Sequence, residues 1–218
     1  KFLVVISIMK TRYLHKDVIS IIVIFNPNLK NFTEILQSHK NNFSKVFLVN
    51  NSPEISLNSF KSSQVFIINN SHNIGLAAAI NKGIHEVKIQ GAAMTAIFDQ
   101  DSTLPKNFLQ RMLQNINNYS SDIPVALFAP IFFNYVTNDY GSIINFKPLL
   151  LVRTKPNKLK PITNPQYVIT SGSFIPTAIF DDVGFMREEL FIDFLDIEWC
   201  LRARKAGYQI VSFSDIEL

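Results

Sequence analysis

The sequence predicts a single α/β domain, with a mostly parallel sheet flanked by helices. Two observations support this prediction. Short apolar runs alternate in the first half with helix-spaced segments of about 10 to 15 residues, which is typical of parallel strands joined by right-handed crossovers. The chain also has 218 residues, of which 47% are hydrophobic and 17% charged, a composition that can form a layered core without disulfides.

Charge and cysteine content exclude several classes of protein. The net charge is +4, but Lys and Arg are scattered rather than clustered, so nucleic-acid binding is not predicted. Cys200 is the only cysteine, which fits a reducing cytoplasm. The apolar stretch at residues 2–9 is too short to span a bilayer. We therefore expect an N-terminal extension at 1–17 and one domain at 18–218 that is truncated at its C-terminus.

The first half contains four apolar runs rich in β-branched residues, each ended by polar residues. Between them lie helix-spaced apolar positions or small residues. The predicted elements, in order, are a strand at 18–25, a helix with Phe32, Ile35 and Leu36 on its apolar face, strands at 46–49 and 65–68, a helix at 77–87 and a strand at 93–98.

The second half is less regular in pattern. Its predicted elements are a helix at 108–116, a strand at 125–133, an irregular, lid-like connection at 134–166 and a β-type run at 167–175 that is interrupted at 171–173. A final helix begins after Asp193 as N-cap, has Phe194, Ile197 and Leu201 as its apolar stripe, and ends before Gly207.

Polar clusters follow all four strands of the first half, at 26–27, 50–52, 70–73 and 99–101. In open parallel sheets the carboxyl ends of the strands meet at one edge, where ligands bind. Four clusters at this edge are the first indication of a functional site.

Asp99 and Asp101 follow the fourth strand directly. Two residues apart in an extended chain, their carboxylates project to the same side. Such a pair suits Mg2+ or Mn2+, which also bind phosphate oxygens. The alternative is a turn or helix start, because Asp101, Ser102 and Pro105 favour one.

Asp196 and Glu198 lie in the first turns of the final helix. One of them could act as general base toward a hydroxyl. The alternative is that the helix dipole favours acids there and that Glu198 pairs with Arg202. Trp199 and Cys200, which directly follow Glu198, are interpreted as core residues.

Asn73 and Gly75, with Asn81 further along, indicate a tight turn into a helix whose N-terminal amides could face an anion. The spacing of the glycines does not match the dinucleotide-binding fingerprint. Of the four histidines, His72 alone lies in a candidate site region, either as a ligand contact or as an ordinary surface residue.

Six segments in this order resemble the inverting glycosyltransferases of family 2 with the GT-A fold, in particular their bacterial rhamnosyltransferase-like branch. The resemblance extends from about Val18 to Val211. The segments are Phe25-Asn26-Pro27, Val49-Asn50-Asn51-Ser52-Pro53, NIGLAAAINKG at 73–83, Phe98-Asp99-Gln100-Asp101-Ser102, Thr170-Ser171-Gly172-Ser173 and 191–202, which ends in Asp-Ile-Glu-Trp-Cys-Leu-Arg.

The resemblance implies a GT-A type, Rossmann-like sheet and transfer of a sugar from a nucleotide-diphosphate donor to a hydroxyl, with inversion. Mg2+ or Mn2+ would neutralise the diphosphate, bound by Asp99 and Asp101. Asp196 would be the base, with Asp193 and Glu198 as supports or alternative bases. The implied nucleotide-sugar contacts are Phe25, Asn26, Pro27, Asn50, Asn73, Gly75, Asn81, Asp99 and Gln100, and the implied acceptor or support residues include Ser171 and Gly172.

The resemblance further implies a saccharide or lipid-linked acceptor in bacterial polysaccharide biosynthesis, and a cytoplasmic protein associated peripherally with the inner face of the plasma membrane. Two departures matter. Asn50 stands where relatives often have Asp, which predicts an altered nucleotide preference, and many relatives carry a metal-binding His beyond residue 218. The alternatives are a nucleotidyltransferase or another nucleotide-binding α/β enzyme, and a non-catalytic nucleotide-sugar-binding domain.

Overall fold

The computed structural model describes residues 12–134, 137–141, 143–147, 150–157 and 159–218. Most of the predicted N-terminal extension lies outside these residues. The strands are β1 Val18–Ile24, β2 Val46–Asn50, β3 Val65–Asn69, β4 Met94–Asp99, β5 Val125–Ile131, β6 Phe133–Asn134, β7 Asp139–Tyr140, β8 Ile143–Lys147, β9 Leu150–Thr154, β10 Ile162–Thr163, β11 Ser173–Pro176 and β12 Gln209–Glu217. The helices are α1 Leu29–Asn42, α2 Leu76–Ile89, α3 Phe108–Asn118, α4 Ile179–Val183 and α5 Leu195–Lys205.

Eight strands form the main sheet, in the order β10-β12-β5-β11-β4-β1-β2-β3. The pairs among β3, β2, β1 and β4 are all parallel, as the alternation of strands and helices predicts. β1 is buried along its whole length, which explains its unbroken apolar sequence. The four predicted strands agree with the structure to within one residue at either end.

The other half of the sheet departs from the predicted pattern. β11 lies antiparallel between β4 and β5, and β10 is antiparallel to β12. The predicted run at 167–175 forms a strand only from Ser173 onward, as part of β11, because Gly172 has φ +83° and turns the chain there. The prediction of an irregular connection at 134–166 is wrong for its described residues, which include the antiparallel pairs β6–β7 and β8–β9.

Helices cover both faces of the sheet. α1 and α3 pack on one face, where Phe32 and Met112 belong to one core cluster. α2, α4 and α5 pack on the other, where Ile84, Phe180 and Trp199 belong to a second cluster. None of the helices in the described part of the chain is long and apolar enough to cross a membrane.

The start of α5 differs from the prediction. Asp193 is not its N-cap: the helix begins at Leu195, and Phe194 precedes it with a left-handed φ of 63°. The predicted apolar stripe is also wrong, because Phe194 and Leu201 are exposed. A different helix face is buried, which confirms the interpretation of Trp199 and Cys200 as core residues; this face consists of Leu195, Trp199, Cys200 and Ala203.

Candidate active site

A cleft of about 960 Å³ opens where β4 ends and α5 begins. Four carboxylates line it, and among the described residues that line it there is no Lys, Arg or His. Its acidic residues are Asp99, Asp101, Asp193 and Asp196. The cleft therefore has an excess of negative charge that its own walls do not balance.

The acidic turn, residues 99–102, brings Asp99 and Asp101 to this cleft. β4 ends at Asp99, and the next two residues form a turn rather than the extended chain that was predicted. The side chain of Gln100 bonds instead to the main chain of Phe25: its amide accepts from the Phe25 N–H at 2.8 Å and donates to the Phe25 carbonyl at 2.9 Å. This reciprocal pair joins the ends of β1 and β4 and leaves both carboxylates facing the cleft.

Burial, and to a lesser degree the negative charges of Asp101 and Asp196, raise the pKa of Asp99 to about 6. Burial also raises the pKa of Asp196, although the Ile197 N–H, which donates to its Oδ1 at 2.8 Å, acts against this shift. Among the described residues no cation forms an ion pair with either carboxylate. The acids from β4 and α5 thus face one cleft closely enough to interact.

Asp99 and Asp101 are chemically suited to a hard divalent cation. No group of three or more His, Cys, Asp and Glu in the described residues could enclose a metal ion with protein ligands alone. Mg2+ and Mn2+ need few protein ligands, because water and phosphate oxygens complete their coordination. Two adjacent carboxylates without a cationic partner fit such an ion.

The segment before α5 is tied to α2. Phe191 has φ +56°, and its carbonyl accepts from the N–H groups of Leu76, at 2.7 Å, and Ala77, at 3.1 Å. Gly75 is buried beneath it, and a Cβ there would lie 2.6 Å from the Phe191 ring. The first amides of α2 are therefore already paired, which corrects the expectation that they could face an anion.

The remaining acids of the final helix region have different surroundings. Asp193 is exposed and lines the cleft. Glu198 does not line it: both of its oxygens lie 2.8 Å from the Arg202 guanidinium, and Arg187 contacts it at 3.0 Å. Because Arg202 also donates to the carbonyl of Phe185, at 2.8 Å, Glu198 supports a neighbouring loop.

Asn50 is 2% exposed and does not reach a cavity. Its Nδ2 donates to the carbonyl of Ile55 at 2.8 Å and to Oδ1 of Asn69 at 3.1 Å, and its Oδ1 accepts from the Ser52 N–H at 3.1 Å. The side chain of Asn50 is therefore paired with the main chain and side chains that surround it, and its contact with a nucleotide stays a prediction.

Asn81 is also buried. Its Nδ2 donates to the Met186 carbonyl and to Glu188, both at 2.9 Å, and its Oδ1 accepts from the Met186 N–H. His72 is exposed, lies 3.1 Å from Ser71 Oγ and does not line the cleft. Neither side chain belongs to the acidic cleft.

Phe25 and Asn26 are exposed beside the cleft, and Asn73 is exposed after β3. These three residues form an exposed rim. A smaller hollow of about 220 Å³ begins at Pro27, next to Asn26 of the rim, and Asp101 lines both this hollow and the cleft. The hollow is lined by Pro27, Asn28, Asn31, Phe32, Ile35, Gln100 and Asp101.

Ser171 lies under the acidic turn and lines the cleft. Its Oγ accepts from the Asp99 N–H at 3.1 Å and lies 2.7 Å from Ser102 Oγ. Gly172 follows with its N–H donating to the Ile97 carbonyl at 2.8 Å. A Cβ at Gly172 would lie 2.7 Å from the Leu218 side chain, so the absence of a side chain at this position permits close packing.

Sequence reasoning did not identify the apolar part of the cleft wall. Four apolar side chains that line it are between 43% and 68% exposed: Phe132, Ile169, Ile192 and Phe194. Apolar residues are expected to be buried, so the sequence pattern assigns them to the core. Two of these side chains, Ile192 and Phe194, lie in the segment before α5. There Phe191 and Phe194 have positive φ, which residue type does not predict.

Comparison with known proteins identifies the family of the chain. The family model for glycosyl transferase family 2 matches residues 10–184. The chain is 30% identical over 209 residues to the dTDP-rhamnosyl transferase RfbF of Shigella flexneri, covering 94% of this chain and 69% of that protein.

Solved structures share the fold at low sequence identity. GalNAc-T7, determined with UDP, GalNAc and Mn2+, matches with a TM-score of 0.68 and 13% identity over 90% of this chain. Residues 1–349 of TarS from S. aureus match with a TM-score of 0.66 and 16% identity over 91% of it. The chain spans 42% and 58% of those two proteins. It belongs to glycosyl transferase family 2 and is a glycosyltransferase with a GT-A fold.

Proposed function

We propose that the protein transfers a hexose, rhamnose in particular, from a nucleotide-diphosphate donor to a saccharide hydroxyl, with inversion at the anomeric carbon. The observation that supports this most is the cleft in which carboxylates after β4 face a carboxylate at the start of α5, without a basic residue in the described lining. The similarity to a dTDP-rhamnosyl transferase favours dTDP-rhamnose as the donor.

The donor diphosphate lies at the acidic turn in this proposal. Asp99 and Asp101 would hold Mg2+ or Mn2+, and the cation would supply positive charge to the leaving diphosphate. The nucleoside lies along the exposed rim of Phe25, Asn26 and Asn73, next to the hollow at Pro27 and Gln100. Support comes from the shared position of Asp101, which lines both the cleft and the hollow.

Asp196 is the proposed general base. Burial raises its pKa, so its carboxylate is a stronger proton acceptor than an exposed Asp. The Ile197 N–H fixes the orientation of its Oδ1. Asp196 takes the proton of the acceptor hydroxyl while that oxygen attacks the anomeric carbon from the face opposite the diphosphate. The bond from the anomeric carbon to the diphosphate oxygen breaks, the nucleoside diphosphate leaves with its electron pair, and the configuration is inverted.

The acceptor lies on the apolar side of the cleft, near Asp193. Phe132, Phe194 and Ile169 offer surfaces that suit the apolar faces of a pyranose ring and limit access of water to the reacting atoms. A free or lipid-linked saccharide fits this role, and a lipid-linked one would bring the protein to the inner face of the plasma membrane.

A donor panel tests the proposal. Nucleotide release is measured from dTDP-, UDP- and GDP-sugars with Mg2+ or Mn2+, and the anomeric configuration of the product is read by proton NMR. We expect release that depends on the cation, with dTDP-rhamnose preferred and inversion in the product. Absence of release and of any thermal shift by a nucleotide would contradict the proposal. Pyrophosphate release from a nucleoside triphosphate and a sugar phosphate would instead indicate nucleotidyl transfer.

A further inference from the structure

One face of α1 holds the main chain that follows Asp101. Three side chains of this helix form hydrogen bonds with residues 102–109, and all of them pair main-chain groups that would otherwise lack partners. The contacts are Ser38 Oγ accepting from the Leu104 N–H at 3.0 Å, His39 Nε2 with the Ser102 carbonyl at 3.0 Å, and Asn42 donating to the Pro105 carbonyl and accepting from the Leu109 N–H, both at 3.1 Å.

His39 is the member of this group nearest the acidic turn, and it is completely buried. Its ring meets that of Phe98 edge-on, with 4.8 Å between the centroids, and stacks against Phe43 at 6.1 Å. Phe98 directly precedes Asp99 in β4. A buried imidazole is costly unless both ring nitrogens are paired, so its position is strongly determined.

The partners of His39 fix its tautomer. A carbonyl can only accept, so Nε2 carries the hydrogen and donates to Ser102, while Nδ1 accepts from the Ser20 hydroxyl at 3.3 Å. Burial lowers the pKa of His39 to about 4, and the Ser102 carbonyl opposes this shift without cancelling it. The ring is therefore neutral near pH 7 and keeps the donor directed at Ser102.

Ser102 connects His39 to the acidic turn through further hydrogen bonds. Its N–H donates to the Asp99 carbonyl at 3.2 Å, and its Oγ lies 2.7 Å from Ser171 Oγ, which in turn accepts from the Asp99 N–H. Asp101 lies between Asp99 and Ser102, so both of its flanking positions are tied. With the Ser102 carbonyl held by His39, the acidic turn is fixed from both sides.

We propose that His39 is a positioning residue, which holds the carbonyl of Ser102 and thereby fixes the turn that presents Asp99 and Asp101 to a divalent cation. The part concerning the cation rests on the proposed function. The part concerning the turn depends only on the hydrogen bonds described above.

Three variants separate positioning from general stability. His39→Leu removes the donor to Ser102, whereas His39→Gln restores an N–H donor of similar reach. Ser20→Ala is the matched control, because it removes the partner on the opposite side of the ring and leaves the Ser102 contact in place. Should His39→Leu not fold, His39→Asn replaces it, since its amide reaches toward Ser20 but is too short for Ser102.

Two measurements on the free protein report the effect of each substitution on the acidic turn. Amide hydrogen exchange reports the protection of residues 99–104, and electron paramagnetic resonance titration with Mn2+ alone reports cation affinity. Losing one buried hydrogen bond corresponds to about a tenfold effect. We expect His39→Leu to exchange about tenfold faster in this segment and to bind Mn2+ about tenfold more weakly, with His39→Gln and Ser20→Ala close to wild type.

Unchanged exchange at 99–104 in a folded His39→Leu protein would overturn the inference, as would equal losses in Ser20→Ala. Wild-type Mn2+ affinity in His39→Leu, despite faster exchange, would overturn the part concerning the cation. If the wild-type protein binds no Mn2+ at all, the metal assignment in the proposed function fails, and the exchange data still decide whether His39 fixes the turn.

Discussion

Two polar regions lie at the same edge of the sheet and differ in how their polar groups are paired. The asparagine network, which consists of Asn50, Asn51, Asn69, Asn70 and Asn73, follows β2 and β3. Its amides bond to one another, as from Asn51 Nδ2 to Asn73 Oδ1 at 2.7 Å and from Asn70 Nδ2 to Asn51 Oδ1 at 3.1 Å. The acidic cleft follows β4 and faces α5, and its carboxylates have no cationic partner among the described residues.

This difference in pairing distinguishes residues that stabilise the fold from residues that we propose carry out the reaction. A buried amide network with its groups paired stabilises one arrangement of the chain. Burial and neighbouring negative charges that raise the pKa of a carboxyl group, as at Asp99, disfavour its ionised form in the folded state, and such groups cluster at functional sites. Substitutions of the buried members of the network, such as Asn50, should therefore reduce stability, whereas substitutions in the cleft should reduce activity without reducing stability.

The largest expected effect is on catalysis. Asp196→Asn removes the proposed base, so kcat for sugar transfer should fall by about 10²- to 10⁴-fold. The affinity for dTDP, measured calorimetrically, should stay within about threefold of the wild-type value, because Asp196 lies across the cleft from the acidic turn. Asp193→Asn is the matched variant and should cause a smaller loss. A rate close to that of the wild type for Asp196→Asn would show that another group takes the proton.

Asn50→Asp should have the largest effect on stability in the network. The change removes the donor to Ile55 and to Asn69 and introduces a buried charge, at a cost of about 2 to 4 kcal/mol in urea unfolding. Asn73→Asp is the control: Asn73 is exposed, and its Oδ1 only accepts, from Asn51 and from the Gly75 N–H. Equal unfolding midpoints for the two variants would contradict the scaffold role of Asn50.

Acid should weaken the fold through His39. Because its folded pKa, about 4, is below the ordinary value of 6.5, the unfolded state binds a proton first as pH falls. Stability is therefore lost between pH 6.5 and 4, amounting to about 2 kcal/mol at pH 5. The difference in unfolding free energy between wild type and His39→Gln, measured from pH 7 to pH 4.5, isolates this contribution. A constant difference over that range would contradict it.

The smallest expected effect is a gain in stability. In cation-free buffer at pH 7.5, Asp99→Asn should raise the melting temperature slightly, because the raised pKa of Asp99 means that folding disfavours its ionised form. Asp122→Asn, at an exposed position before β5, is the control and should leave the melting temperature unchanged. A clear fall in the melting temperature of Asp99→Asn would mean that Asp99 stabilises the fold, which would contradict its assignment as a ligand-binding residue.

The sequence predicts the parallel half of the fold well, because continuous apolar runs such as Val18–Ile24 can be satisfied only by burial on both faces. It does not predict that β11 lies antiparallel between β4 and β5, because these partners are distant from it in the chain. The start of α5 was also misplaced, because Phe191 and Phe194 adopt positive φ, which neither residue type favours.

The candidate site also has features that the sequence predicts and features that it does not. That Asp99 and Asp196 would line one cleft was implied by the resemblance of the motifs to the family. The burial of Asn50 and Asn81 was not, because their hydrogen-bond partners include groups from other segments, such as the carbonyl of Met186 for Asn81. For the same reason His39 was not recognised, since its contact with Ser102 spans 63 positions of the chain.

Anomalous scattering from crystals grown with dTDP and Mn2+ tests the central claim most directly, because it locates the cation relative to both sets of acids. We predict one strong peak within coordination distance of Asp99 or Asp101, with the dTDP phosphates beside it and Asp196 facing it across the cleft. A peak outside the cleft, or dTDP bound away from the acidic turn, would contradict the assignment of these acids.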